Sequence, residues 1–91
     1  MTYRIELHRE ARKTLEALPE KVRRLVAKKI DQLAHDPRPQ GCKVVRGARA
    51  EYHRVRSGDY RVVYQVEDDV LRVLVIKVGH RRNVYRNLGR W

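Results

Sequence analysis

Arg54, Arg56, Arg61 and Arg81 are the residues of this 91-residue chain best suited to chemistry. Arginine stays charged at any physiological pH, and its planar fork of N–H donors grips phosphate oxygens in pairs. In Tyr52-His53-Arg54-Val55-Arg56, strand alternation sends Tyr52, Arg54 and Arg56 to one face and His53, Val55 and Ser57 to the other. In the next stretch Arg61, Val63 and Gln65 oppose Tyr60, Val62, Tyr64 and Val66. The larger apolar set belongs against a core, which turns Arg61 outward with Arg54 and Arg56 beside it. Arg81 follows a third apolar run and can swing over the same surface. Taken singly, each is an ordinary solvated strand charge. Taken together, like charges on one face repel, and the cluster costs stability unless a polyanion sits among them. The chemistry it suits is the stabilisation of negative charge on a phosphate, without a metal.

The elements that must hold these side chains can be read from hydrophobic periodicity. Residues 2–7 alternate, with Tyr3, Ile5 and Leu7 on one side and Arg4 and Glu6 on the other, as in a half-buried strand. From His8 the period becomes helical, through Ala11, Leu15 and Leu18. Pro19 interrupts and suits the first turn of a second helix. The stripe of that helix is Val22, Leu25, Val26, Ile30 and Leu33, and Asp36-Pro37-Arg38-Pro39-Gln40-Gly41 ends it. Strands follow at 52–57, 60–66 and 70–78, joined by turns at Ser57-Gly58-Asp59 and Glu67-Asp68-Asp69. Such short links imply antiparallel neighbours. Gly79 ends the last strand, and Asn83 can cap a short helix at 84–88. The expected fold class is α+β: an N-terminal strand, a helical hairpin, a three-stranded antiparallel meander and a short C-terminal helix. The helices cover one face of a four-stranded sheet, and function is to be sought on the other.

The charge balance agrees with a polyanionic partner. The chain carries 22 Lys+Arg against 11 Asp+Glu, a formal net charge of +11. Residues 1–40 hold ten basic and six acidic side chains, and residues 41–91 hold twelve and five, so the excess lies in the strand-rich part. A field of this sign favours nucleic acid, an anionic membrane or an acidic protein. The single cysteine, Cys42, argues against a disulfide framework and suits a reducing cytoplasm. His8, His35, His53 and His80 lack metal-ligand spacing, so no metal is expected. The charged N-terminus is unlike a signal peptide, and the longest apolar run, 73–76, is far too short to cross a membrane. Residues 1–91 are expected to form one cytoplasmic domain.

The run Tyr52-His53-Arg54-Val55-Arg56-Ser57-Gly58-Asp59-Tyr60-Arg61-Val62-Val63-Tyr64, followed by Val78-Gly79-His80-Arg81-Arg82-Asn83-Val84-Tyr85, resembles the RelE/ParE toxin superfamily, its RelE branch most closely. Lys43-Val44-Val45-Arg46-Gly47 also matches a family segment. The resemblance implies the toxin of a type II toxin–antitoxin system, a ribosome-dependent endoribonuclease that cuts messenger RNA in the A site. The 2′-OH attacks the adjacent phosphorus with no metal or other cofactor. By position, Arg61 and Arg81 would stabilise the phosphorane, and Tyr85 would act as general base or stack on the RNA. A tyrosine base, with an ordinary pKa near 10, would need the arginines to favour its phenolate.

Arg54 and Arg56 stand where RelE proteins often carry lysines, and arginine cannot supply a proton near neutrality. Either the reaction runs with weak acid catalysis, or a histidine donates: His80, or His53, which is expected on the wrong face. Lys43, Arg46, Arg82 and Arg86 are further basic residues expected to line RNA. Expected partners are the ribosome with its rRNA, mRNA, and a RelB-like antitoxin seated near the terminal helix. Two other readings stay open: a ParE-like inhibitor of DNA gyrase, and an RNA-binding module without chemistry.

Overall fold

Leu18 precedes a proline, and a residue in that position is pushed out of the helical region into extended backbone. Its φ of −71° and ψ of 150° show this, and the first helix ends just before it. The chain is described here by a computed structural model covering residues 2–46 and 51–82. The elements run β1 (Arg4–Leu7), α1 (Arg9–Ala17), α2 (Glu20–Gln32), β2 (Lys43–Arg46), β3 (Glu51–Ser57), β4 (Tyr60–Glu67) and β5 (Arg72–His80). The expected helix at 84–88, with Asn83, Tyr85 and Arg86, lies outside the described residues. Pro19 is the N-cap of α2 rather than part of its first turn. His8 caps α1, its Nδ1 accepting from the Glu10 N–H at 3.2 Å.

Helix α1 lies against β5 and β1, and α2 against β3 and β4. Ala11, Leu18, Val26, Ile30 and Leu33 meet Val55, Val62, Tyr64, Val73, Val75 and Val78 in the main core. Burying one such aliphatic side chain contributes about 1.5–3 kcal/mol, more than a surface ion pair, so the larger apolar set decides which face the helices cover. Leu25 is the exception in the expected stripe: it is 56% exposed, one residue off the line through Val22, Val26 and Ile30. Among the described residues, no helix is long and apolar enough to cross a membrane.

The sheet has five strands, in the order β1-β5-β4-β3-β2, rather than four. The extra strand is β2, only four residues long, which pairs antiparallel with β3 at the sheet edge. The sheet is also mixed, because β1 pairs parallel with β5. The β4–β5 hairpin is longer than expected. Glu67 pairs with Arg72, so residues 68–71 form the turn, and Leu71 takes a positive φ of 51°.

One irregularity positions the site. Val63 pairs with Lys77 and Tyr64 with Val75, so Ile76 is an extra residue in β5, a β-bulge. Strict alternation would put Lys77 on the side of Val73 and Val75. The bulge resets the phase, so Val78 joins Val73 and Val75 under the helices while Lys77 shares the uncovered face with its partner Val63.

Candidate active site

The face away from the helices is floored at its centre by Tyr52, Val63 and Ile76, with Val45 and Leu74 packed against them. Beside this patch the strand pairing sets out two rows of side chains. One row is Lys43, Arg54, Val63 and Lys77, crossing β2, β3, β4 and β5. The next is Arg56, Arg61 and Gly79. Arg61 therefore has Arg56 and Gly79 directly opposite it on its two neighbours, and Arg54 and Lys77 on the diagonals. Diagonal neighbours lie about 7–8 Å apart, still within reach of long side chains.

The turn between β3 and β4 anchors both ends of this arrangement. Gly58 takes a φ of 59°, which glycine adopts at no steric cost. Arg61 folds its guanidinium back on that turn, Nη1 donating to the carbonyls of Gly58 (3.1 Å) and Tyr60 (3.2 Å). The Arg81 N–H donates to the Asp59 carbonyl at 2.8 Å, which fixes the residue after β5 to the same turn. Arg61 and Arg81, twenty residues apart in the chain, are thus held at one corner of the sheet. Among the described residues, none of Lys43, Arg54, Arg56, Arg61 and Arg81 takes part in an ion pair. A recess of about 300 Å³, lined by Lys29, Gln40, Gly41, Lys43, Val55 and Arg56, carries the positive charge round the β2–β3 edge toward α2. Among the described residues, no three His, Cys, Asp or Glu side chains gather where they could hold a metal ion.

A model of the family described as the ParE toxin of the type II toxin–antitoxin system parDE matches residues 5–85. The chain is 37% identical over 82 residues to the mRNA interferase toxin RelE of Escherichia coli, spanning 89% of this chain and 85% of that one. It is 30% identical over 87 residues to toxin RelG of Mycobacterium tuberculosis, spanning 94% and 99%. A chain of the archaeal RelE–RelB complex from Pyrococcus horikoshii OT3 superposes with a TM-score of 0.78 at 30% identity, over 92% of this chain and 100% of that one. The chain belongs to the RelE/ParE toxin superfamily, in its RelE-type branch.

Not every candidate of this RelE-type toxin reaches the cationic corner. His80 pairs with Tyr60, its ring edge-on to that tyrosine at 5.8 Å, on the helix side of the sheet. Its Nδ1 accepts from the Arg82 N–H at 3.3 Å. The strand register thus turns His80 away from Arg61. His53 also faces the helix side, stacked on Tyr64 at 5.7 Å. Burial first, then the nearby Arg38 charge, lowers its pKa. Arg46 sits opposite Glu51 and so points away from the face that Lys43 shares with Arg54. Arg82 is exposed beyond β5. Tyr85 and Arg86 fall outside the described residues.

Lys77 was missed by reading the sequence. Within an apolar strand it reads as an isolated charge of undecided side, and only the bulge brings it to the RelE-type face. Its one signal in the sequence is that it is the sole charged residue of the run 73–79.

Proposed function

We propose that this RelE-type toxin is a ribosome-dependent endoribonuclease of the cytoplasm that cuts messenger RNA in the A site. One observation carries the reading: Arg54, Arg56 and Arg61 share one corner of an uncovered sheet face with no carboxylate paired to them among the described residues, and Arg81 is tied to the same turn. The likeness to a protein named as an mRNA interferase supports it.

The 2′-oxygen attacks the adjacent phosphorus, a phosphorane forms with one more negative charge than the diester, and the bond to the 5′-oxygen breaks. The products are a cyclic phosphate and a free 5′-hydroxyl. Arg61 and Arg81 offset the added charge, the electrostatic role that usually contributes most to such catalysis. Arg54 and Arg56 hold the flanking phosphates. Tyr85 takes the proton of the 2′-OH or orients the nucleotide. Lys43, Arg82 and Arg86 supply further contacts to mRNA and rRNA. No metal takes part. The ribosome supplies the orientation of the RNA, so free RNA is cut poorly. An antitoxin similar to RelB is the natural partner, and an acidic or amphipathic segment would be drawn to the +11 charge.

Because the matching family model is described as a ParE toxin, gyrase inhibition is the second reading. One experiment separates the two: the protein is added to a translating extract, breaks in the messenger are mapped by primer extension, and supercoiling is assayed in parallel. Cuts within codons are expected. Intact messenger with blocked supercoiling overturns the nuclease reading in favour of the gyrase one.

A further inference from the structure

We infer that Lys77 is the general acid of this site, the group that protonates the departing 5′-oxygen. The inference rests on the nuclease reading above and deepens it. A phosphodiester cleaved by its own 2′-oxygen expels an alkoxide, and that leaving group gains most from a proton delivered as the bond breaks. None of the arginines at the corner can deliver one, because a guanidinium does not lose its proton in a protein. The histidines near this end of the sheet, His53 and His80, face the helix side.

Lys77 is placed where such a donor is needed. The β5 bulge at Ile76 turns its side chain onto the uncovered face, opposite Val63. Bulges are concentrated beside active sites, where they re-aim a side chain. Lys77 is the diagonal neighbour of Arg61 on β5, as Arg54 is on β3. Gly79 faces Arg61 with no side chain, which leaves bare backbone between the two strands, and Lys77 is the next residue on that face of β5, about 6.6 Å along the strand from Gly79. The other described lysine of this face, Lys43, stands two strands from Arg61 on the sheet edge. Val63 and Ile76, both buried, flank the base of the lysine with apolar surface.

The step balances. The 2′-oxygen forms the new bond to phosphorus as its proton passes to the base. The bond from phosphorus to the 5′-oxygen breaks, and that oxygen takes a proton from the Lys77 ammonium. The resulting amine is reprotonated from water.

The test uses programmed ribosomes carrying either an ordinary message or one with a single 5′-phosphorothiolate at the A-site cleavage position. A thiolate leaves without protonation. Lys77→Met is expected to cut the ordinary message about 10²–10⁴-fold more slowly, the usual contribution of a positioned acid. It is expected to cut the sulfur-bearing message at close to the rate of the unsubstituted chain. Lys77→Arg, which keeps the charge and most of the packing, is expected to behave in the same way. Equal slowing on both messages, or no slowing on the ordinary one, overturns the assignment while leaving the nuclease reading in place. Absence of cleavage by the unsubstituted chain removes both.

Discussion

Two pairs of arginines face each other across neighbouring strands on the same uncovered face, at opposite ends, and the molecule treats them differently. At one end Arg4 pairs with Arg72 across β1 and β5. Two glutamates offset them: Arg4 Nε meets Glu6 at 2.6 Å, and Arg72 reaches Glu6 at 3.2 Å and Glu67 at 2.8 Å. At the other end Arg56 pairs with Arg61 across β3 and β4. Among the described residues no carboxylate offsets these two, and Arg54 lies beside them. Like charges directly opposite in a sheet are destabilising, on the order of 0.2–1 kcal/mol per pair. The chain supplies the remedy at one end and omits it at the other. The Arg4–Arg72 end is built for stability; the Arg56–Arg61 end holds charge ready for a ligand that brings its own counter-charge.

The strongest way to break this contrast is to remove the central arginine of the uncompensated end. Arg61→Ala is expected to slow cleavage on ribosomes about 10²–10³-fold, the usual loss for one preorganised donor to a developing oxyanion. Its melting temperature should change little, because the hydrogen bonds to Gly58 and Tyr60 are lost together with the repulsion from Arg56. An unchanged cleavage rate removes Arg61 from the mechanism.

Arg72→Met should show the reverse. It leaves Glu6 and Glu67 without their shared cation, whose side chain is only 30% exposed. The melting temperature is expected to fall by a few degrees, on the order of what one exposed ion-pair network contributes. Cleavage should be unaffected. Loss of cleavage without loss of stability would mean that the two ends of the face do not divide the work between them.

Acid should act on the compensated networks alone. On the helix side Asp68 receives both nitrogens of the Arg38 fork and the Tyr3 hydroxyl at 2.6 Å. Those hydrogen bonds, Arg38 first, hold its pKa down at about 2 against an ordinary 3.8. Glu6 is lowered in the same direction, chiefly by Arg4. A carboxylate with a depressed folded-state pKa contributes stability above its unfolded pKa and loses it as pH falls through the folded one. The urea midpoint should therefore drop between pH 3.8 and pH 2. Asp68→Asn should be less stable than the unsubstituted chain at neutral pH and lose less across that window. A window of the same depth in Asp68→Asn would place the acid sensitivity elsewhere, with Glu6 the next carboxylate to replace.

How much of this was legible beforehand follows from the range of each interaction. The joint of the helical hairpin could be read because a proline acts on its immediate neighbour, and α1 and α2 meet at Leu18-Pro19. The outward placement of Arg54, Arg56 and Arg61 could be read because alternation holds along an unbroken strand. Lys77 could not, because one inserted residue, Ile76, reverses the phase, and the bulge is defined by pairing with a strand elsewhere in the sequence. The same holds for the parallel partnership of β1 with β5, which joins residues more than sixty positions apart. Strand β2 was missed for a different reason: four residues with Val44 53% exposed give too little alternation to register. The side that His80 takes was not legible either, because it depends on the reset phase of β5.

The smallest effect is also the most direct probe of the contrast. Arg56→Glu places a carboxylate opposite Arg61, making the uncompensated end resemble the one at Arg72. An opposite-charge pair in this position contributes about 0.2–1 kcal/mol, and the lost repulsion adds an amount of the same order. The melting temperature should therefore rise by a few degrees, up to about 5 °C, with the gain shrinking in high salt because both charges are near the surface. Cleavage should fall at the same time, since the new carboxylate competes with RNA phosphate for Arg61. A substitution that stabilises the fold while disabling the toxin is the signature of charge kept in place for a partner. If instead the melting temperature stays level, then water already screens Arg56 from Arg61, the missing counter-charge costs the fold nothing, and the argument from repulsion fails even where the chemistry stands.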